Sequence, residues 1–372
     1  MLTGDTAKFA GLLFGIAFST LLITQQMTIF ANLLLRGASA VNDVPAADIW
    51  VMDPASRTVD ISWPMPSTAL DKVRGVPGVD WALPLLRANG VVRTPGGDLE
   101  PVAVVGVDDA TLIGLPRVTV AGPGDALARP DSVVIDAVGS RRLFAAGEQV
   151  VGTRLELNDK RAVVRGIVDA NPSFTSTVTL YTRYSLALSY VPGTRNRLSF
   201  IIARAAPGED NGLVARRIAA ATGLKAYTRQ EFAREGIDFI VENTGIPINF
   251  GITVALGFVV GVAIVGLTFS LFIRDNIRQF GALKAIGVTN GRIRGMVMAQ
   301  AAFVALIGYG LGVLGATAAI YFPARNSDTF KGFFVLWQIP LGTAVAVAII
   351  IALTGFLALR TVLRTDPAEV FR

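Results

Sequence analysis

Four long stretches of this chain carry no charged residue: residues 9–35, 243–273, 295–324 and 332–359, or 27, 31, 30 and 28 residues in turn. A bilayer core is crossed by roughly 20 apolar residues of helix. In hydrocarbon only structures that satisfy every backbone polar group internally can span, and for single segments of this length that means a helix. Each stretch therefore predicts a transmembrane helix, with a turn or two to spare for tilt or for projecting beyond the lipid. The composition agrees, with 17% charged residues against about 25% in an ordinary soluble protein, and a mean hydropathy of +0.53. Residues 37–242 read differently, with charges, prolines, glycines and short apolar runs alternating. A segment of about 200 residues can bury a core of its own. The expected fold class is an α-helical membrane protein of four transmembrane helices, with a large mixed α/β extracytoplasmic domain inserted between helices 1 and 2.

The net charge of +6 sets the orientation once it is divided along the chain. Residues 37–242 hold 22 Lys/Arg and 23 Asp/Glu, and the rest of the chain holds 12 and 5. The basic excess therefore lies beside the helices. Arg274, Arg278, Lys284, Arg292 and Arg294 stand against Asp275 in the segment between helices 2 and 3, and Arg360, Arg364 and Arg372 follow helix 4. The loop between helices 3 and 4 has only Arg325 and Lys331 as basic residues. The positive-inside rule puts residues 274–294 and the C-terminus in the cytoplasm. The expected organisation is then a cytoplasmic start and helix 1 over 1–36, the extracytoplasmic domain over 37–242, helix 2 over 243–273 and a cytoplasmic loop over 274–294. Helix 3 (295–324), a short outer loop (325–331), helix 4 (332–359) and a cytoplasmic tail (360–372) complete it. Topology and membrane lipid headgroups account for the basic residues, so no nucleic-acid partner is implied. Ala38-Ser39-Ala40 has the small residues of a signal-peptidase site. The apolar run before it is too long for a signal peptide and only Lys8 precedes it, so retention of helix 1 is expected.

Several chemistries are excluded by what the chain lacks. With no Cys and no His, disulfides, zinc sites and imidazole acid–base catalysis cannot occur. No GxxxxGK[ST], GxSxG, HExxH or EF-hand pattern appears, so no catalytic residue and no metal ligand is assigned. Asp108-Asp109 reads as a solvated turn. Gly310, Gly312 and Gly315 match GxGxxG but lie in an uncharged membrane run, with no strand before them. Close helix packing explains them better, as it does the pairs Gly257/Gly261 and Gly308/Gly312, which are candidates for packing within the chain or across a dimer. No ionisable residue lies inside any span, which argues against an ion-coupled carrier.

The most informative segment is the loop Ile277-Arg278-Gln279-Phe280-Gly281-Ala282-Leu283-Lys284-Ala285-Ile286-Gly287. A short helix over 278–286, ended by Gly287, puts Phe280, Leu283 and Ile286 on one side with Arg278 and Lys284 flanking. Such a helix either lies on the membrane surface or docks into a groove on a partner, and the residues alone leave both open.

This loop resembles the R-x-x-E-[IF]-G-x-L-[KR]-A-[IVL]-G stretch of the FtsX/MacB-like permeases of ABC transporters. The ending Asp366-Pro367-Ala368-Glu369-Val370-Phe371-Arg372 is similar to that family's [DN]-P-x-[ED]-x-[LF]-R. Ala47-Asp48-Ile49-Trp50-Val51 after helix 1, taken with the loop, is closest to the DevC-type branch. The family usually has Glu where this chain has Gln279, which makes a charge-assisted contact a neutral one.

The resemblance implies a non-catalytic permease subunit in a bacterial inner membrane. Residues 278–287 would be the coupling helix for a separate cytoplasmic ABC ATPase, with Phe280, Leu283 and Ile286 as apolar anchors and Arg278 and Lys284 as charged contacts. ATP and Mg would be bound by that partner and no cofactor by this chain. It also implies a homodimer, a periplasmic adaptor and an outer-membrane channel, and expulsion of cargo already outside the inner membrane. The outer domain would have two subdomains, about 43–105 with 198–235, and 106–197. An FtsX-like signalling subunit acting on cell-wall hydrolases and a lipoprotein-extracting permease are the alternatives.

Overall fold

The computed structural model describes residues 6–116, 118–171, 178–191, 197–327 and 330–364. The chain begins with α1 (Thr6–Gly37) and the single turn α2 (Ser39–Asn42), then β1 (Ile49–Met52), β2 (Met65–Pro66), α3 (Thr68–Arg74), β3 (Val79–Arg93) and β4 (Leu99–Val107). There follow β5 (Thr119–Ala121), β6 (Ser132–Asp136), α4 (Ala137–Leu143), β7 (Arg154–Leu157), β8 (Lys160–Val168), β9 (Thr179–Arg183), α5 (Tyr184–Tyr190), β10 (Arg197–Leu198) and β11 (Phe200–Ala205). The last elements are α6 (Asn211–Thr222), β12 (Lys225–Thr228), α7 (Arg229–Asn243), α8 (Ile246–Asp275), α9 (Ile277–Ala285), α10 (Asn290–Asn326) and α11 (Gln338–Arg364). They fall into two units: residues 1–32, 245–326 and 333–372, and residues 33–244 with 327–332.

The first unit is helical. Four of the helices are long and apolar enough to cross a membrane, over Phe9–Gly37, Ile246–Asp275, Asn290–Asn326 and Gln338–Ala358. On α1 the buried residues Leu12, Ile16, Ser19, Thr20, Ile23, Thr24 and Thr28 recur every three or four positions and form one stripe. Glycines let α8 approach that helix closely in antiparallel register. A Cβ on Gly15 would stand 2.6 Å from Ile264, and one on Gly261 would stand 2.5 Å from the Ser19 hydroxyl. Leu256, Leu267, Leu306, Leu314 and Phe356 point outward, the surface that lipid requires. The helices outrun the uncharged stretches: α1 includes Lys8 and Arg36, and α10 includes Arg292 and Arg294. Charges mark where hydrocarbon ends, whereas helical hydrogen bonding continues into the interface.

The inserted unit is built on one sheet in the order β12-β1-β11-β3-β4-β9-β6-β8-β5, with β7 pairing both β3 and β8. Strand β1 shows why its sequence is continuously apolar. Ile49 and Val51 face one core with Val214 and Ile218 of α6, while Trp50 and Met52 face another with Phe200 and Phe232. Both faces are covered, so the period-2 alternation of a half-buried strand is absent. The 15-residue β3 changes partner midway, pairing with β11 up to Leu85 and with β4 from Leu86. At that change the Ser199 hydroxyl accepts from Arg87 N–H (3.0 Å) and donates to Arg87 C=O (2.9 Å), which satisfies the backbone as β11 begins. The division expected at about 105/106 falls near the end of β4 (Leu99–Val107). Asn158 and Asp159 have φ of +46° and +62° and make the primed turn that joins β7 to β8.

Gly37 and Gly236 touch where α1 meets α7. A Cβ on Gly236 would lie 2.6 Å from the Gly37 carbonyl oxygen. Gly37 is thus a contact point between the segments that begin and end the inserted unit. Ala38 and Ser39 are buried at the junction of α1 and α2.

Candidate functional site

The segment singled out by its sequence forms α9, nine residues between two membrane helices. Asn276 closes α8 by donating its side-chain amide to Phe272 C=O at 2.8 Å. The other end of α9 is a Schellman turn: Gly287 N–H donates to Lys284 C=O and Val288 N–H to Leu283 C=O, both at 3.0 Å. Gly287 has φ of +92°, a conformation natural only to glycine. Val288 and Leu283 both pack on the helical unit's core, which supplies the apolar contact that usually accompanies this turn. The spacing Leu283-x-x-x-Gly287-Val288 is therefore the chemistry of a helix stop.

The structure corrects the direction of the helix. Phe280 is 3% exposed and is packed among Phe269, Phe272, Ile293 and Val297 of the chain's own helices, with Leu283 partly buried beside it. These two anchor α9 to the bundle and do not present themselves to a partner. Ile286 has left the helix and is 77% exposed. The periodicity i, i+3, i+6 identified an apolar face, but periodicity does not say which body that face covers. Gly281 is buried, Lys284 is half-buried, and the outward surface is made by Arg278, Gln279, Ala282, Ala285 and Ile286. It joins a cation, a neutral amide and one large exposed aliphatic, a combination that suits a protein groove with an apolar floor.

The four membrane glycines are occupied within the chain. Gly257 faces Leu22 and Ile23, Gly261 faces Ser19, Gly308 faces Ile16, and Gly312 faces Thr20 and Ala17, all on α1. Of the two uses expected for these pairs, this is packing within the chain. Gly15 and Gly11, which line the opposing side of the same α1–α8 contact, were missed by sequence reasoning although they too stand four apart.

The inserted unit offers no cluster that resembles a catalytic centre among the described residues, and no group of three Asp or Glu placed to hold a metal ion. Asp108 accepts from Thr111 N–H and Oγ1, each at 2.8 Å, and Asp109 accepts from Ser185 N–H at 3.1 Å, so both serve as caps. Asp136 caps α4 and accepts from Thr179 N–H at 2.6 Å; burial nevertheless pushes its carboxyl up. A cavity of about 20 Å³ is bordered by Asp43, Trp50, Arg87 and Tyr181. That is room for about one water molecule and none for a cargo molecule. Trp50 Nε1 is buried there without a partner among the described residues, and a water would satisfy it. Burial lifts Asp43 to about 6 even though Asn171 donates to it from Nδ2 (2.8 Å) and N–H (3.0 Å). The motif at 366–372 lies outside the described residues.

Two family descriptions match the chain: MacB-like periplasmic core domain over residues 9–221, and FtsX-like permease C-terminal over residues 251–367, which includes α9. An uncharacterized ABC transporter permease of Mycobacterium tuberculosis (strain H37Rv) is 27% identical, over 97% of this chain and 93% of its own length. The macrolide export ATP-binding/permease protein MacB of Agrobacterium fabrum is 26% identical, over 66% of this chain and 39% of that protein. Among solved structures, the periplasmic region of MacB from Actinobacillus actinomycetemcomitans aligns with a TM-score of 0.40 at 16% identity, covering 55% of this chain and 96% of that one.

Proposed function

This chain belongs to the ABC-transporter permease family that joins a MacB-like periplasmic core to an FtsX-like C-terminal region, and we propose that it is the permease subunit of a MacB/DevC-type export machine. In this reading α9 rests on a separate cytoplasmic ATPase. Nucleotide-driven movement of that ATPase displaces α9, the membrane helices follow, and the inserted domain helps to drive cargo outside the inner membrane through a periplasmic adaptor and an outer-membrane channel. The observation that carries the reading is the seating of α9. Phe280 and Leu283 bind it to the bundle core, so a push on its outward residues reaches α8 and α10 instead of being absorbed by a loose loop. The uncharged spans fit a machine that moves no hydrophilic cargo between its own helices.

The partner ATPase supplies phosphoryl-transfer chemistry and its Mg; this chain contributes the surface made by Arg278, Gln279, Ala282, Ala285 and Ile286. Gln279 supports a contact by neutral hydrogen bonding, which is weaker than a carboxylate–cation bond by roughly a factor of two. A homodimer is retained, through helix faces other than the glycine pairs. The test is purification of the tagged chain from membranes with identification of bound proteins. An ABC ATPase together with an adaptor is the expected result. An ATPase with a cell-wall hydrolase and no adaptor would favour the signalling alternative, and absence of any ATPase would overturn the proposal.

A further inference from the structure

Asn32 lies near the end of the candidate span on α1, is 3% exposed, and spends every polar atom of its side chain. Its Nδ2 donates to Thr28 C=O and to Phe334 C=O, each at 2.8 Å, while its Oδ1 accepts from Phe334 N–H at 3.2 Å. Phe334 belongs to the segment joining α10 to α11, 302 residues away in sequence. A primary amide alone among small side chains offers a donor and an acceptor in one plane, as this two-way grip on one backbone residue demands. Two further rungs run in the same antiparallel sense. Thr24 Oγ1 donates to Thr343 Oγ1 on α11 at 3.2 Å, and Arg36 Nη2 donates to Lys331 C=O at 3.4 Å. Lys331 in turn pairs with Asp169 at 2.7 Å. The contacts of α1 with α8 and α10 through glycines are of another kind, close van der Waals approaches with no direction of their own. Tyr309 of α10 reaches α11 by one bond, Oη to Pro340 C=O at 2.9 Å.

We propose that Asn32 is a positioning residue that fastens the α10–α11 segment to α1, so that the segment and the first turn of α11 travel with α1 during the transport cycle. The inference rests on the proposed function, since it concerns a movement that only a partner ATPase would drive. Loss of the amide removes both bonds to the Phe334 backbone, N–H and C=O, at once.

The chain has no native cysteine, so spin labels can be placed at Met27→Cys on α1 and Trp337→Cys just before α11, both exposed. A reference pair joins Met27→Cys to Leu314→Cys on α10. Distances are read for the full chain with its co-purified ATPase in lipid nanodiscs, without nucleotide and trapped with ATP and vanadate. The expected result is an unchanged 27–337 distance while the 27–314 distance shifts. In Asn32→Leu the 27–337 distance should broaden and become state-dependent, with ATP hydrolysis retained and its coupling to transport reduced. A 27–337 shift as large as the reference shift in the unaltered chain would overturn the fastening, and this measurement does not depend on the variant folding. Absence of a shift in both pairs would instead overturn the transmission reading, and with it the inference.

Discussion

Replacing Phe280 with Ala separates the two roles that the sequence motif had merged. The ring is buried among Phe269, Phe272, Ile293 and Val297. Truncating a buried Phe costs about 3–5 kcal/mol in soluble cores. Here the lower end, about 3 kcal/mol, applies, because a released α9 can still lay its apolar face on the lipid interface. At 1.36 kcal/mol per decade that is a roughly hundredfold increase in the population with α9 detached. Hydrogen–deuterium exchange of residues 277–288 reads this directly, because local opening sets the exchange rate of those amides. Exchange there should accelerate by about two decades, with the inserted unit unaffected. Ile286→Asp, at a residue that touches little of its own chain, should leave exchange unchanged and reduce ATPase co-purification. If Phe280→Ala leaves exchange at 277–288 as slow as in the parent, the seating of α9 described above is wrong. If Ile286→Asp leaves ATPase binding intact, the outward face has been misassigned.

Other consequences can be measured separately. Gly287→Ala puts a side chain at φ +92°, where an L-residue costs about 1–2 kcal/mol; α9 should fray from its C-terminal end, seen as faster exchange at Ile286–Val288 only. Gly236→Ala drives a Cβ to within 2.6 Å of the Gly37 carbonyl oxygen, and such overpacking costs about 1–3 kcal/mol; the melting temperature of the purified protein should fall, and an unchanged value would refute the contact. Gly312→Val meets Thr20 and the Ala17 carbonyl at about the same range and should separate α1 from α10, read as loss of folded protein in membranes. For Asp43, burial raises the folded carboxyl from 3.8 to about 6, so the folded state holds the proton more tightly than the unfolded chain. Stability should therefore decline as pH rises from about 4 to about 6, by at most about 2 kcal/mol, and level off above. Asp43→Asn should reduce that slope in melting temperature against pH and leave the part due to buried Asp136, whose carboxyl is also raised; a slope unchanged by the substitution would refute the role of Asp43.

The sequence by itself determined the membrane architecture. Four uncharged runs had no other stable solution in hydrocarbon, and charge placement is a local property that needs no distant partner. The helix stop at Gly287 was legible for the same reason, since it depends on six consecutive residues. Tertiary structure alone decided what each apolar face covers. Phe280 and Leu283 read equally well as anchors for a partner or for the chain itself, and only the packing of α8 and α10 around them settles it. Strand β9, Thr-Leu-Tyr-Thr-Arg, carries no strong pattern and becomes a strand because β4 and β6 supply ladders on both sides. The grip of Asn32 on Phe334 was invisible because its two ends are 302 residues apart. A polar residue late in a membrane span announces that a partner exists, but the identity of that partner is a fact of three-dimensional proximity, which no local pattern encodes.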